Sequence, residues 1–138
     1  TGITLALSED ARSAAFELVH RARGSGARVS FDVNYRSKLW SHSDASPWYR
    51  HMASLADIVF GGDEELAMVV DVPADDHDAL IEAVQALGPG EVVLKLGSAG
   101  CIAAVGEERI EASAIVVDVV DTVGAGDAFV GAYLAGLL

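Results

Sequence analysis

Gly124-Ala125-Gly126-Asp127 joins two positions without side chains to an acid. The upstream run Ile115-Val116-Val117 is extended and apolar, while Ala128 to Leu138 is alanine-rich and helical in pattern. The glycines therefore fall where a chain leaving a sheet begins a helix. Free amides at such a start, unobstructed at 124 and 126, make an anion site. Asp127 beside that anion can accept the proton of a hydroxyl about to attack phosphorus. Charge stabilisation of a transferring group plus a base is the chemistry of hydroxyl phosphorylation. Read alone, the four residues equally describe a plain turn whose acid complements a helix dipole.

Other residues of chemical interest lie further upstream. Asn34 and Arg36 follow an apolar strand, the position where ligand-binding loops leave an α/β sheet. A guanidinium suits a carboxylate, which it grips with two parallel hydrogen bonds, although a surface ion pair is the competing reading in so acidic a chain. Asp63, Glu64 and Glu65 stand together in what reads as the first turn of a helix. Lys95 lies near the end of the strongly apolar run from Val92 to Leu96, where a lone lysine is otherwise a solvated charge.

Some chemistries are excluded. No Gly-x-x-x-x-Gly-Lys-[Ser/Thr] occurs, so this is not a P-loop protein, and Phe129 stands where a dinucleotide fingerprint requires its third glycine. His20, His42, His51 and His77 lack metal-ligand spacing and read as exposed. Cys101, the single cysteine, sits in an apolar run and reads as a small buried hydrophobe, which fits a reducing cytoplasm. Phe16, Trp40, Trp48 and Tyr49 read as packing residues.

The elements that must position these residues alternate in type. Ser8 caps a helix ending near Gly24 and Gly26, and residues 28–33 follow as a strand. Ser46-Pro47 opens a short helix to about Leu55, and Asp57 to Phe60 is a strand stopped by Gly61-Gly62. Helices start at Asp63 and span Asp76 to Leu87; strands occupy 92–96, 101–105 and 109–114, the first two joined by a turn at 97–100. This alternation predicts an α/β fold, a largely parallel sheet flanked by helices with antiparallel strands at one edge. With no internal repeat and no linker, residues 1–138 read as one domain. A hydrophobic content of 51% with 22% charged residues supports a real core, and a net charge of −12 argues against nucleic acid or an anionic membrane as partner. No apolar stretch reaches the length of a membrane span.

The longer string Asp121-Thr122-Val123-Gly124-Ala125-Gly126-Asp127-Ala128-Phe129 resembles the second signature of the ribokinase-like (PfkB) carbohydrate kinases. Gly2-Ile3-Thr4-Leu5, Phe31-Asp32-Val33-Asn34-Tyr35-Arg36 with Leu39-Trp40, Glu64-Glu65 and Val93-Leu94-Lys95-Leu96-Gly97 occur in that family's order, so the likeness covers essentially the whole chain. Asp-x-Asn-Tyr-Arg followed by Leu-Trp is most similar to the 2-keto-3-deoxygluconate kinases within it.

The resemblance implies a ribokinase-like, Rossmann-like sheet and assigns roles. Asp127 is the general base, and the amides of Gly124, Ala125 and Gly126 hold the γ-phosphoryl group. Arg36 lies at the sugar-acid site, Asn34 near the phosphates, and Lys95 with Gly97 near the nucleotide. Glu65 matches the glutamate of an Asn-x-x-Glu motif linked to Mg²⁺ and phosphate handling through water, but Gly62 occupies the Asn position, which removes the amide partner. Asp121 and the carbonyl near Val123 would help hold a monovalent cation such as K⁺.

The resulting expectation is a cytoplasmic, ATP- and Mg²⁺-dependent kinase of a sugar acid, foremost 2-dehydro-3-deoxygluconate. A fructokinase-like ketose kinase, a 5-dehydro-2-deoxygluconate kinase and a non-catalytic sugar- or nucleotide-binding module are the alternatives. The chain starts at Thr1 without Met and stops within an apolar helix. It is therefore expected to be the C-terminal catalytic portion, inactive alone, of an enzyme that forms a homo-oligomer through a lid outside these residues.

Overall fold

The computed structural model describes residues 1–137. A five-stranded sheet runs in the order β1 (Ser30–Asp32), β2 (Ile58–Gly62), β3 (Glu91–Lys95), β4 (Cys101–Val105) and β5 (Glu108–Ala112). The first three strands are parallel; β4 and β5 return antiparallel. This is the expected architecture, parallel where helices cross over and antiparallel where the turn at 97–100 is too short for a crossover.

Alternation along the strands separates two faces. Val59, Val92, Leu94 and Ala104 point into the main core, which α1 (Gly2–Leu7), α2 (Glu9–Gly24), α3 (His42–Leu55), α4 (Asp63–Val70) and α5 (His77–Gln85) cover. Their neighbours Ile58, Phe60, Val93 and Ala103 point the other way, against Phe129, Val130, Tyr133 and Leu134 of α6 (Ala125–Ala135).

Ser8 caps α2 as expected, its hydroxyl accepting the Ala11 amide at 3.0 Å. The start of α3 differs. Ser41 is the cap, accepting the Asp44 amide at 3.2 Å, so Pro47 lies inside the helix. Ser46 instead donates its hydroxyl to the Met68 carbonyl at 2.6 Å, anchoring α3 to α4. Strand β2 does not stop at Phe60; Gly61 and Gly62 continue the ladder opposite Leu94 and Lys95. Gly61 is needed there for space, since a Cβ would lie 2.6 Å from Leu66 Cδ2. Helix α1 is too short to leave a periodic signal, and β1 and β5 are displaced from or shorter than their predicted spans.

Residues 115–117, expected to be extended, belong to no strand among the described residues, and Val116 is 98% exposed. Helix α6 starts at Ala125, before the predicted Ala128, and Leu138 lies outside the described residues. His77 and Cys101 are half-buried, against the exposed and buried states expected of them.

Candidate active site

Helix α6 runs antiparallel to β3. Near its far end the Tyr133 hydroxyl donates to Glu91, the first residue of β3, while Ala125 and Gly126 share a pocket with Lys95, the last. The amide end of α6 therefore sits over the carboxyl edge of the parallel strands. Gly124 is its N-cap in a left-handed conformation (φ 77°), which glycine adopts without steric cost, and no side chain caps the helix. The Ala125 amide donates to the Thr122 carbonyl at 3.2 Å, while those of Gly124 and Gly126 have no backbone partner among the described residues and are left to a ligand or water. Asp127 lies in that first turn and is exposed. Just upstream, Asp121 Oδ1 accepts the Val123 amide at 2.9 Å, closing a turn that aims the chain into the glycines.

The pocket beside this helix start measures about 620 Å³ and is lined by Lys95, Gly97, Thr122, Gly126 and Phe129 among others. Lys95 and Gly97 thus line one pocket with the start of α6.

Two strands away, the chain leaves β1 at the same edge. Val33 donates its amide to the Phe60 carbonyl at 2.9 Å, extending the β1–β2 ladder by one residue. Asn34 then turns the chain with φ 44°, one of two non-glycine residues with positive φ among the described residues. Asparagine tolerates that conformation better than most side chains, and such outliers cluster at binding sites. Asn34 is 9% exposed. Aromatic packing fixes the loop: the Tyr35 hydroxyl donates to the Trp40 carbonyl at 3.1 Å, and Trp40 meets the buried Tyr49 edge-on with centroids 5.4 Å apart. Arg36 is exposed and forms no ion pair among the described residues; Nη1 donates only to its neighbour's carbonyl, that of Tyr35, at 2.9 Å. The surface ion pair that competed with a ligand role is not formed.

Between loop and pocket lies a charged cluster. Lys95 Nζ donates to Asp32 Oδ1 at 2.7 Å and stands 3.8 Å from Glu65 Oε2. The Lys95 and Asp32 side chains retain 20% and 10% exposure, so Lys95 is not a solvated charge. Burial pushes the Asp32 carboxyl above its ordinary range, partly offset by the hydrogen bond and charge of Lys95. Asp32 was not singled out from the sequence. Its signal was an acid between Phe31 and Val33 in an apolar strand, a position that demands a partner.

Glu65 Oε1 accepts the Tyr35 amide at 2.9 Å, and Oε2 accepts the Gly62 amide at 2.8 Å. Both oxygens thus face donors, with an ammonium beside one of them. The Lys95 ammonium 3.8 Å from Oε2 disfavours a further cation at that oxygen. The described residues contain no group of three or more His, Cys, Asp or Glu able to hold a metal.

An uncapped helix start with an adjacent acid lies at a sheet edge that also carries Arg36, unpaired among the described residues. The sequence matches the pfkB family carbohydrate kinases over residues 2–138. The chain belongs to that family.

Its relatives include 2-dehydro-3-deoxygalactonokinase of Haloferax volcanii, 36% identical over all of this chain and 43% of the relative. The 2-dehydro-3-deoxygluconokinase of Escherichia coli is 35% identical over 98% of this chain and 45% of the relative. The chain therefore spans less than half the length of these pfkB-family relatives. Among solved structures, fructokinase from Vibrio cholerae O395 with fructose, ADP and a calcium ion superposes with a TM-score of 0.86, at 31% identity over 96% of this chain and 42% of that one. Aminoimidazole riboside kinase from Salmonella enterica, complexed with aminoimidazole riboside and an ATP analogue, gives 0.79 at 36% identity, over 94% of this chain and 42% of that one. No described helix is long and apolar enough to cross a membrane.

Proposed function

We propose that this pfkB-family chain carries the phosphoryl-transfer half of a kinase acting on a 2-dehydro-3-deoxyaldonic acid, foremost 2-dehydro-3-deoxygluconate. The observation that carries the reading is the uncapped start of α6, with Gly124 left-handed and Asp127 in the first turn, at the sheet edge that also bears the Arg36 loop. Relatives that act on 2-dehydro-3-deoxy sugar acids support the substrate class.

In the proposed reaction Asp127 accepts the proton of the sugar hydroxyl as its oxygen attacks the γ-phosphorus of ATP in line. The new O–P bond forms while the bond from γ-phosphorus to the bridging oxygen breaks, and that electron pair leaves with ADP. The amides at the start of α6, those of Gly124 and Gly126 with that of Ala125 released from the Thr122 carbonyl, take up the charge on the phosphoryl oxygens. Arg36 grips the substrate carboxylate, and Asn34 stands between the sugar and the phosphates. Lys95 and Gly97 border the nucleotide. Magnesium, when bound with the nucleotide, neutralises phosphate charge, and a monovalent ion near Asp121 is the further cation this reading includes.

A ketose kinase is the second reading, favoured by the fold match to the fructose-bound fructokinase. Arg36→Lys separates the two. For a sugar-acid kinase the KM for the acid should rise about tenfold or more, because lysine cannot reproduce the two-pronged grip. An unchanged KM for the acid, with fructose the better substrate, would decide for the ketose reading.

A further inference from the structure

The hydrogen bonds of Glu65 reach in two directions along the chain. Through Oε2 it accepts the backbone amide of Gly62, the N-cap of its own helix α4. Through Oε1 it accepts the amide of Tyr35, 30 residues earlier. Tyr35 lies between Asn34, whose φ of 44° sets the direction of the loop, and Arg36, whose guanidinium is free of ion pairs among the described residues. Lys95 stands 3.8 Å from Oε2 and is itself held by Asp32 at 2.7 Å. The carboxylate is thus aimed by α4, steadied by a cation and spent on a backbone amide of the loop.

We propose that Glu65 is a positioning residue for the sugar-binding loop, holding Asn34 and Arg36 in place through the Tyr35 amide, and does not ligate metal. The position is filled by an amide anchor, not by a free carboxylate awaiting a cation. The short-range partner is the backbone N–H of residue 62, a contact that needs no side chain at that position. The sugar-binding part of this proposal rests on the kinase reading above; the anchoring part stands on the geometry alone.

Two measurements separate those parts. The first is amide hydrogen exchange on the chain, wild type against Glu65→Gln, with Val59 and Val93 as core references. Glutamine retains one acceptor oxygen but turns an NH₂ group toward the other amide. Exchange at Tyr35 or Gly62 should quicken about tenfold, with the core amides unchanged. Unchanged exchange at both would overturn the proposal, whatever the protein's activity. If the variant does not fold, magnesium chloride titrated into isotope-labelled wild type decides instead. Unmoved Tyr35 and Gly62 amide resonances are expected, and saturating shifts at both would overturn it.

The second measurement is steady-state kinetics on the complete gene product carrying residues 1–138. Glu65→Gln should raise the KM for the sugar acid about tenfold and leave the magnesium concentration for half-activation within about twofold. A tenfold shift in magnesium requirement with an unmoved sugar KM would overturn the proposal. A wild type inactive on every sugar would defeat the kinase reading alone, and the exchange result would still decide the anchor.

Discussion

Lys95 neutralises one carboxylate and faces a second, so its removal is the most informative single change at the charged cluster. Burial raises the Asp32 carboxyl above its ordinary value, while Lys95 lowers it by hydrogen bond and charge. A carboxyl whose folded pKa is raised holds its proton more tightly folded than unfolded. Its ionisation therefore lowers stability as pH climbs from the ordinary value through the raised one, and does so little below that window. Lys95→Met removes the side chain whose hydrogen bond and charge favour ionised Asp32, leaving only the weaker pull of the chain's amino terminus. Denaturant unfolding should show a loss of about 2–3 kcal/mol at neutral pH, below the fully buried limit because Lys95 is partly exposed. The deficit should shrink as pH falls toward 3.8, the ordinary value for the group. A deficit independent of pH would contradict the pairing. The residues at this scale were unequally legible. Asp127, Gly124 and Gly126 declared themselves by adjacency, whereas Lys95 and Asp32 are 63 positions apart and meet only because β1 and β3 flank β2.

At the scale of elements, two contacts fix the site. Helix α1 approaches the loop after β1 so closely that a Cβ on Gly2 would lie 1.9 Å from the Val33 carbonyl oxygen and 2.8 Å from the Tyr49 ring. Gly2→Ala should cost about 1–3 kcal/mol by overpacking, read as a lowered midpoint in urea with an unchanged slope. Helix α6 is docked by Tyr133, whose hydroxyl bonds the buried Glu91 and whose ring meets Phe60 edge-on at 5.3 Å. Burial and that acceptor push the Tyr133 hydroxyl well above its ordinary pKa. Tyr133→Phe should cost about 1–2 kcal/mol and speed amide exchange in α6 more than in β3, since the lost bond is the helix's polar tie to the sheet. Equal quickening in both would count against it. Helix α2 was legible because Ser8, Glu9 and Asp10 form a start signal before a periodic run. The start of α3 was not, because Ser46-Pro47 imitates a cap and first-turn proline, while the true cap, Ser41, precedes residues of weak helical pattern. Gly61-Gly62 misled in the same way. Packing against Leu66 overrides their tendency to break a strand.

For the whole molecule, helices on both faces of a sheet with parallel and antiparallel parts place every candidate residue at one edge. That arrangement followed from the alternation of elements. The separation of the two faces, with α6 alone on one of them among the described residues, did not, because the stretch 113–124 that crosses over has no periodic pattern to read. The central claim is that this edge transfers phosphate to a sugar acid with Asp127 as base. Its most direct measurement is the rate of ADP formation from ATP and 2-dehydro-3-deoxygluconate by the complete gene product, beside its Asp127→Asn variant. The account predicts turnover that depends on the sugar acid and falls about 10²–10⁴-fold in the variant, with folding intact because Asp127 is exposed. Near-normal turnover in a folded Asp127→Asn protein would contradict it.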